Sequence, residues 1–122
     1  RLVTPGIPDK KLIFLMTRSN YKVLLESGIK IYEYTPGFIH AKCFLCDDET
    51  AAVGSINLDY RSLYLHFECG VWMHRSEAVM QLRQDMERTF ACSHQILKEE
   101  WKEPHFIIRI VQTILKLFAP LL

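Results

Sequence analysis

Six residues of one short stretch have types and spacing suited to chemistry on a phosphate. The stretch HAKCFLCDDETAAVGSIN runs from His40 to Asn57 and follows the spacing HxK(x)4D(x)6GSxN, with His40, Lys42, Asp47, Gly54, Ser55 and Asn57 at its fixed positions. An imidazole can act as nucleophile or acid near neutral pH, and an ammonium, a hydroxyl and a carboxamide can all donate hydrogen bonds to phosphate oxygens. The run GFIHAKCFLC has strand character, and strand side chains alternate faces with period two. His40 and Lys42 are therefore expected on one face, as are Ser55 and Asn57 on a following strand. Pairing of the two strands gathers these groups on one small surface. Gly54, without a side chain, is expected to let a substrate approach the backbone. Such a surface neutralises a phosphate without a metal ion.

The elements that must position these residues can be read in order. Arg1 to Thr4 reads as a strand broken by Pro5-Gly6 and Pro8. A helix is predicted from about Asp9 to Ser27, with Tyr21, Leu24 and Leu25 at helical spacing and Gly28 at the C-terminal cap position. Ile29 to Tyr34 alternates as a strand, and Thr35-Pro36-Gly37 turns the chain into the strand beginning at Phe38. Asp47-Asp48-Glu49 is a predicted turn, in which Asp47 stabilises the loop. Thr50 to Ser55 forms the next strand. Leu58 to Ser62 reads as a loop beside the site, and Leu63 to Met73 as a further strand rich in aromatic residues.

After Ser76, an expected N-cap, the period becomes helical, with Val79, Leu82, Met86 and Phe90 on one face. One amphipathic helix is predicted from 76 to about 100. A second, Pro104 to Pro120, carries the stripe Ile107, Ile110, Val111, Ile114, Leu115 and Phe118, with Arg109, Gln112, Thr113 and Lys116 opposite. Such a stripe usually covers a core; alternatively, the helix lies in a membrane interface with its basic residues toward head groups. Strands flanked by helices imply the α/β class, a mixed β-sheet with helices against it. Residues 1–103 form the domain carrying the motif, and 104–122 the terminal helix.

Composition sets the bounds. At 122 residues, 49% apolar and 24% charged, the chain is an ordinary globular domain. A formal net charge of +1 offers no broad basic field for nucleic acid. The chain opens on Arg1, directly in a strand, as a piece of something longer would. No signal sequence and no apolar run of transmembrane length is visible. Cys43 and Cys46 fall three apart on a predicted strand, hence on opposite faces, and no second pair follows at zinc spacing. With Cys69 and Cys92 they are read as reduced, partly buried thiols, suited to a cytoplasmic-facing compartment.

The motif resembles the HKD motif of the phospholipase D superfamily. The runs IYEYTPGFIHAK and VGSINLDYRSLYLHFECGV, the opening TPGIPDK, the run NYKVLLESGIKIYEY and the ending LFAPLL resemble the C-terminal half of a bacterial cardiolipin synthase. The likeness covers essentially the whole chain. It implies a phospholipase D-like half-domain whose enzyme joins two phosphatidylglycerols into cardiolipin and releases glycerol at a bacterial cell membrane, with no cofactor. By that resemblance one histidine attacks phosphorus and forms a phosphatidyl-histidine, and another protonates the leaving glycerol oxygen. His40, in the second-motif position, is then the acid and base. Lys42, Ser55 and Asn57 hold the non-bridging oxygens, and Asp47 completes the motif's catalytic set with His40 and Lys42. Glu68 matches a carboxylate that orients a catalytic imidazole. Arg61 either contacts a lipid phosphate or pairs with Asp59.

Family members carry two such motifs and this chain has one, because His66, His74, His94 and His105 are not followed by lysine two residues on. The expected partner is an N-terminal half bearing the first motif, or a second copy of the chain. Alone, the chain is expected to be inactive, because one histidine cannot serve both roles. The sequence leaves three other readings open: a relative making another lipid product or using water as acceptor, a nuclease of the superfamily, and an inactive membrane-binding module.

Overall fold

A computed structural model describes residues 1–118; the last two residues of the predicted terminal helix and the close of LFAPLL lie outside the described residues. In chain order the elements are β1 (Leu2–Pro5), α1 (Lys11–Arg18), α2 (Tyr21–Glu26), β2 (Ile31–Tyr34), β3 (Cys43–Cys46), β4 (Thr50–Gly54), α3 (Tyr60–Tyr64), β5 (Gly70–His74), α4 (Glu77–Ala91), β6 (Ser93–Ile96) and α5 (Phe106–Leu117). The class is α/β, as expected, but the strands divide between two three-stranded sheets in two compact units.

One unit comprises residues 1–39 and the chain from Cys92 onward. Its sheet is mixed: β2 is central, parallel to β1 and antiparallel to β6. Alternation along β2 buries Ile31 and Glu33. Ile31 joins Tyr21 and Ile96 in the core, with Leu24, Leu25 and Trp101 packed against it. A buried carboxylate needs partners, and Glu33 has two: the Tyr21 hydroxyl donates to Oε1 at 3.0 Å, and Arg18 Nε lies at 3.4 Å. Thr4 Oγ1 shares a 2.7 Å hydrogen bond with the same phenol. Burial, reinforced by the Glu33 charge, pushes the Tyr21 hydroxyl well above the usual phenol range.

The predicted helix 9–27 is two helices. The side chains of Ser19 and Asn20 both reach back to the Met16 carbonyl, at 2.6 and 3.5 Å, and the Asn20 amide bonds Thr17 rather than continuing the helical ladder. These polar residues offer the backbone local alternatives to helix, which the apolar spacing does not register. The cap at Gly28 is as expected. Its φ of +82° allows the Gly28 amide to bond Leu25 and the Ile29 amide to bond Leu24, the paired bonds of a Schellman motif. Ile29 belongs to this cap, so the strand begins two residues later than predicted.

The other unit, His40–Ala91, is an antiparallel meander, β3-β4-β5, with α4 packed across all three strands. Ala51 of β4 and Val79 of α4 are its fully buried apolar residues. The β3–β4 connection is the predicted turn: Asp47 and Asp48 both have positive φ, 52° and 56°, and the Glu49 amide bonds the Cys46 carbonyl at 3.1 Å. Aspartate tolerates this conformation better than most residues, which is why the DDE run suits the turn.

Four boundaries differ from the reading above. Strand pairing starts at Cys43 rather than Phe38, so His40 and Lys42 precede β3. The expected loop and strand from Leu58 to Met73 contain the short helix α3, capped by Asp59 Oδ1 accepting from the Ser62 amide at 2.7 Å, and only Gly70–His74 is strand. The helix after Ser76 stops at Ala91 because β6 pairs with β2, a distant partnership that local periodicity cannot report. The Ser76 hydroxyl is buried without a hydrogen-bond partner, so it does not cap α4.

Candidate active site

Every residue singled out for chemistry lies in the His40–Ala91 unit. The β3–β4 ladder positions the first group. Cys43 pairs with Val53, and the Gly54 amide continues the ladder by bonding the Lys42 carbonyl at 3.0 Å. This sets Lys42 opposite Gly54 although Lys42 is not itself in a strand. The Lys42 ammonium donates to the carbonyl of His40 at 2.7 Å. His40 is exposed and Lys42 half-buried.

On the other side, β4 pairs with β5 through Gly54 and Gly70, and Ser55 is held against Cys69. The Ser55 amide bonds the Cys69 carbonyl at 2.9 Å, and the Cys69 amide donates to Ser55 Oγ at 3.0 Å. That leaves the Ser55 hydroxyl to donate to Glu68 Oε2. Asn57 Nδ2 approaches Ser62 Oγ at 3.4 Å, and the Ser62 hydroxyl also interacts with Glu68. His66 Nδ1 lies 3.8 Å from Glu68 Oε1.

Glu68 is thus the hub of the group, its side chain 13% exposed. The Ser55 hydroxyl first, then that of Ser62, hold its carboxyl below the usual glutamate range. Burial opposes the two hydroxyls, and smaller contributions from His66 and Lys42 act in the same direction as the hydroxyls. A carboxylate so held remains charged and accepts hydrogen bonds. The fold therefore brings Lys42, Ser55, Asn57 and Glu68 together and adds Ser62 and His66, which the sequence reading did not single out. The signal for both was Asp59, an N-cap residue three positions before Ser62, which marks a helical turn where alternation suggested a strand.

Three expected residues sit elsewhere or act differently. Asp47 is at the far end of β3, about 16 Å along an extended chain from Lys42. There its carboxylate accepts from the Cys46 thiol and its backbone makes the turn. Gly54 meets β5 at close quarters. A Cβ placed on it would lie 2.2 Å from the Cys69 carbonyl oxygen and 2.6 Å from Gly70 Cα, so the missing side chain admits the neighbouring strand. Arg61 is exposed on α3, and Asp59 is engaged with the Ser62 amide; no ion pair joins the two among the described residues.

The four cysteines are free thiols; Cys43 is half-buried and Cys46, Cys69 and Cys92 are exposed, more open than expected. Among the described residues no group of three or more His, Cys, Asp or Glu side chains is arranged to hold a metal ion.

Comparison with known proteins bears on the chemistry. A family model described as "Cardiolipin synthase, PLD-like domain" matches residues 1–90. Over all 122 residues the chain is 42% identical to an uncharacterized protein of Streptococcus mutans, covering 26% of that protein. It is 38% identical to a cardiolipin synthase of Geobacillus kaustophilus and 36% identical to one of Halalkalibacterium halodurans, covering 24% of each. The chain thus spans about a quarter of the length of the curated relatives it matches. No solved structure gives a significant match. With the family model matching three-quarters of its length, the chain belongs to the phospholipase D-like domains of the cardiolipin synthases.

Proposed function

We propose that the chain is the second-motif half of a phosphatidyltransferase that joins two phosphatidylglycerols into cardiolipin and glycerol. The observation that carries this reading is the convergence of Lys42, Ser55 and Asn57 around the charged Glu68, in a chain of this family. A phosphodiester is anionic and repels nucleophiles, so its site must supply fixed hydrogen-bond donors where charge gathers in the transition state. Lys42, Ser55 and Asn57 are those donors. His40 gives a proton to the departing glycerol oxygen and then takes one from the incoming alcohol. The histidine of a first motif, in another segment of the protein or a second copy, attacks phosphorus and forms the covalent phosphohistidine. Glu68 positions the Ser55 hydroxyl and, across the assembled site, an imidazole. Asp47 supports the β3–β4 turn and takes no part in the chemistry.

The substrate sets the location. A lipid phosphate is reached at a membrane surface, and free thiols suit the cytoplasmic-facing side of a bacterial cell membrane. Among the described residues no helix is long and apolar enough to cross a membrane.

The test uses the intact protein with labelled phosphatidylglycerol, comparing wild type with His40→Ala and Lys42→Ala. Cardiolipin and glycerol from wild type, reduced about 10⁴-fold by His40→Ala, support the reading. Phosphatidic acid in their place makes the protein a hydrolase, and turnover unchanged in both variants overturns the site.

A further inference from the structure

Helix α3 contributes little to a core. Tyr60, Arg61, Leu63 and Tyr64 are exposed, and Ser62 is the residue of the helix turned inward, half-buried. A helix that leaves Leu63 52% and Tyr64 72% exposed draws little stability from apolar packing. Its hold on the fold is polar. Asp59 Oδ1 accepts from the Ser62 backbone amide at 2.7 Å, so the cap of α3 fixes the residue whose hydroxyl enters the site.

Hydrogen-bond polarity then decides what that hydroxyl does. Glu68 is held in its charged form and can only accept, so the Ser62 hydroxyl gives its single hydrogen to the carboxylate. The Ser62 oxygen keeps its lone pairs for Asn57, whose carboxamide can meet them only with its nitrogen. Asn57 Nδ2 lies 3.4 Å from Ser62 Oγ, at the long end of a hydrogen bond. With the carboxamide turned over, its oxygen would face the serine oxygen, acceptor against acceptor. One Nδ2 hydrogen is engaged in this way, and the other remains for a phosphate oxygen.

We propose that Ser62 is a positioning residue for phosphate binding, selecting the carboxamide orientation in which Asn57 presents an N–H to the substrate. The proposal rests on the phosphate reading of the site and adds to it a residue beyond the fixed positions of the motif. Glu68 sets the direction of the Ser62 O–H bond, and Ser62 passes that direction to Asn57. Without the hydroxyl, the carboxamide has two orientations, one of which turns an oxygen toward the anion.

The test is a double-mutant cycle in the intact protein, read by calorimetric binding of inorganic phosphate and by kcat and KM for labelled phosphatidylglycerol. Ser62→Ala keeps the backbone amide that Asp59 caps, so the substitution leaves the cap of α3 in place. It is expected to weaken phosphate binding about tenfold and to lower kcat by about as much, with Ser62→Thr, which keeps the hydroxyl, close to wild type. In an Asn57→Ala background, Ser62→Ala is expected to change neither quantity further. The same tenfold loss in that background would show Ser62 acting independently of Asn57 and overturn the proposal. So would a Ser62→Ala protein with the phosphate affinity and kcat of wild type. A wild type that binds phosphate but makes no cardiolipin ends the transferase reading, and the binding cycle still decides the role of Ser62. A wild type that binds no phosphate overturns both.

Discussion

Two glutamates show how differently the two units use the same side chain. Glu33 lies in a core, held by Tyr21 and Arg18 and linked through the phenol to Thr4. Its partners come from β1, α1 and α2, so the network ties helices to sheet. Glu68 sits in an open group of short polar side chains, within reach of Ser55, Ser62, His66 and Lys42. The two carboxylates are about equally covered, 12% and 13% exposed, but the phenol held by the first is fully buried, and losing a partner there destabilises the fold. Around the second, Ser55, Asn57 and His66 are exposed, where a ligand can meet them. The contrast separates polar residues gathered inside a core from polar residues gathered around an exposed edge.

The largest effect should come from Gly54→Ala, which sharpens the contrast by showing that the open unit has a structural requirement of its own. A methyl group 2.2 Å from the Cys69 carbonyl must push β5 away. We expect a loss of at least about 3 kcal/mol, or no folded protein, in chemical denaturation; an unchanged midpoint would show that β5 yields easily. Next, Tyr21→Phe removes the hydroxyl shared by Thr4 and Glu33, and should cost about 1–3 kcal/mol while leaving kcat untouched. Ser55→Ala should do the reverse, with kcat for phosphatidyl transfer lower by about 10²-fold and the denaturation midpoint nearly unchanged. If Ser55→Ala destabilises as much as Tyr21→Phe, the two carboxylate sites are not different in kind.

The smallest effect is one of pH. The Glu68 carboxyl is held below its usual value, near 4.5, chiefly by Ser55. Since the folded-state value is the lower one, the stabilisation from this contact is present above the unfolded value and is lost as pH falls through the folded one. Titration followed by carboxyl NMR should place the Glu68 midpoint below the ordinary glutamate range and move it upward in Ser55→Ala. A midpoint that does not move would mean that Ser62, His66 and Lys42 hold the charge by themselves.

Much of the site was legible in the chain because ladder pairing follows a strict period. The fixed gap between Lys42 and Gly54 is a hairpin, and it brings Lys42 and Ser55 to one end of β3 and β4. The same regularity carried Asp47 to the opposite end, where a motif reading alone joins it to the histidine. Ser62 and His66 were not legible because α3 has only five residues, too few for a helical period, and its aromatic content suggests a strand. In the fold, β6 was missed because four residues gain their strand conformation from β2, about sixty positions away. The break between α1 and α2 was missed for the opposite reason, since it depends on two side chains bonding their immediate neighbours.

The bond from the Lys42 ammonium to the His40 carbonyl bears on the thermodynamics of ligand binding. An ammonium has three N–H donors, so this bond occupies one and leaves two for a phosphate. The lysine then meets a phosphate with its side chain already held, and less rotamer entropy is lost on binding. Calorimetry with inorganic phosphate should show this as a smaller entropic penalty than a freely rotating lysine would give.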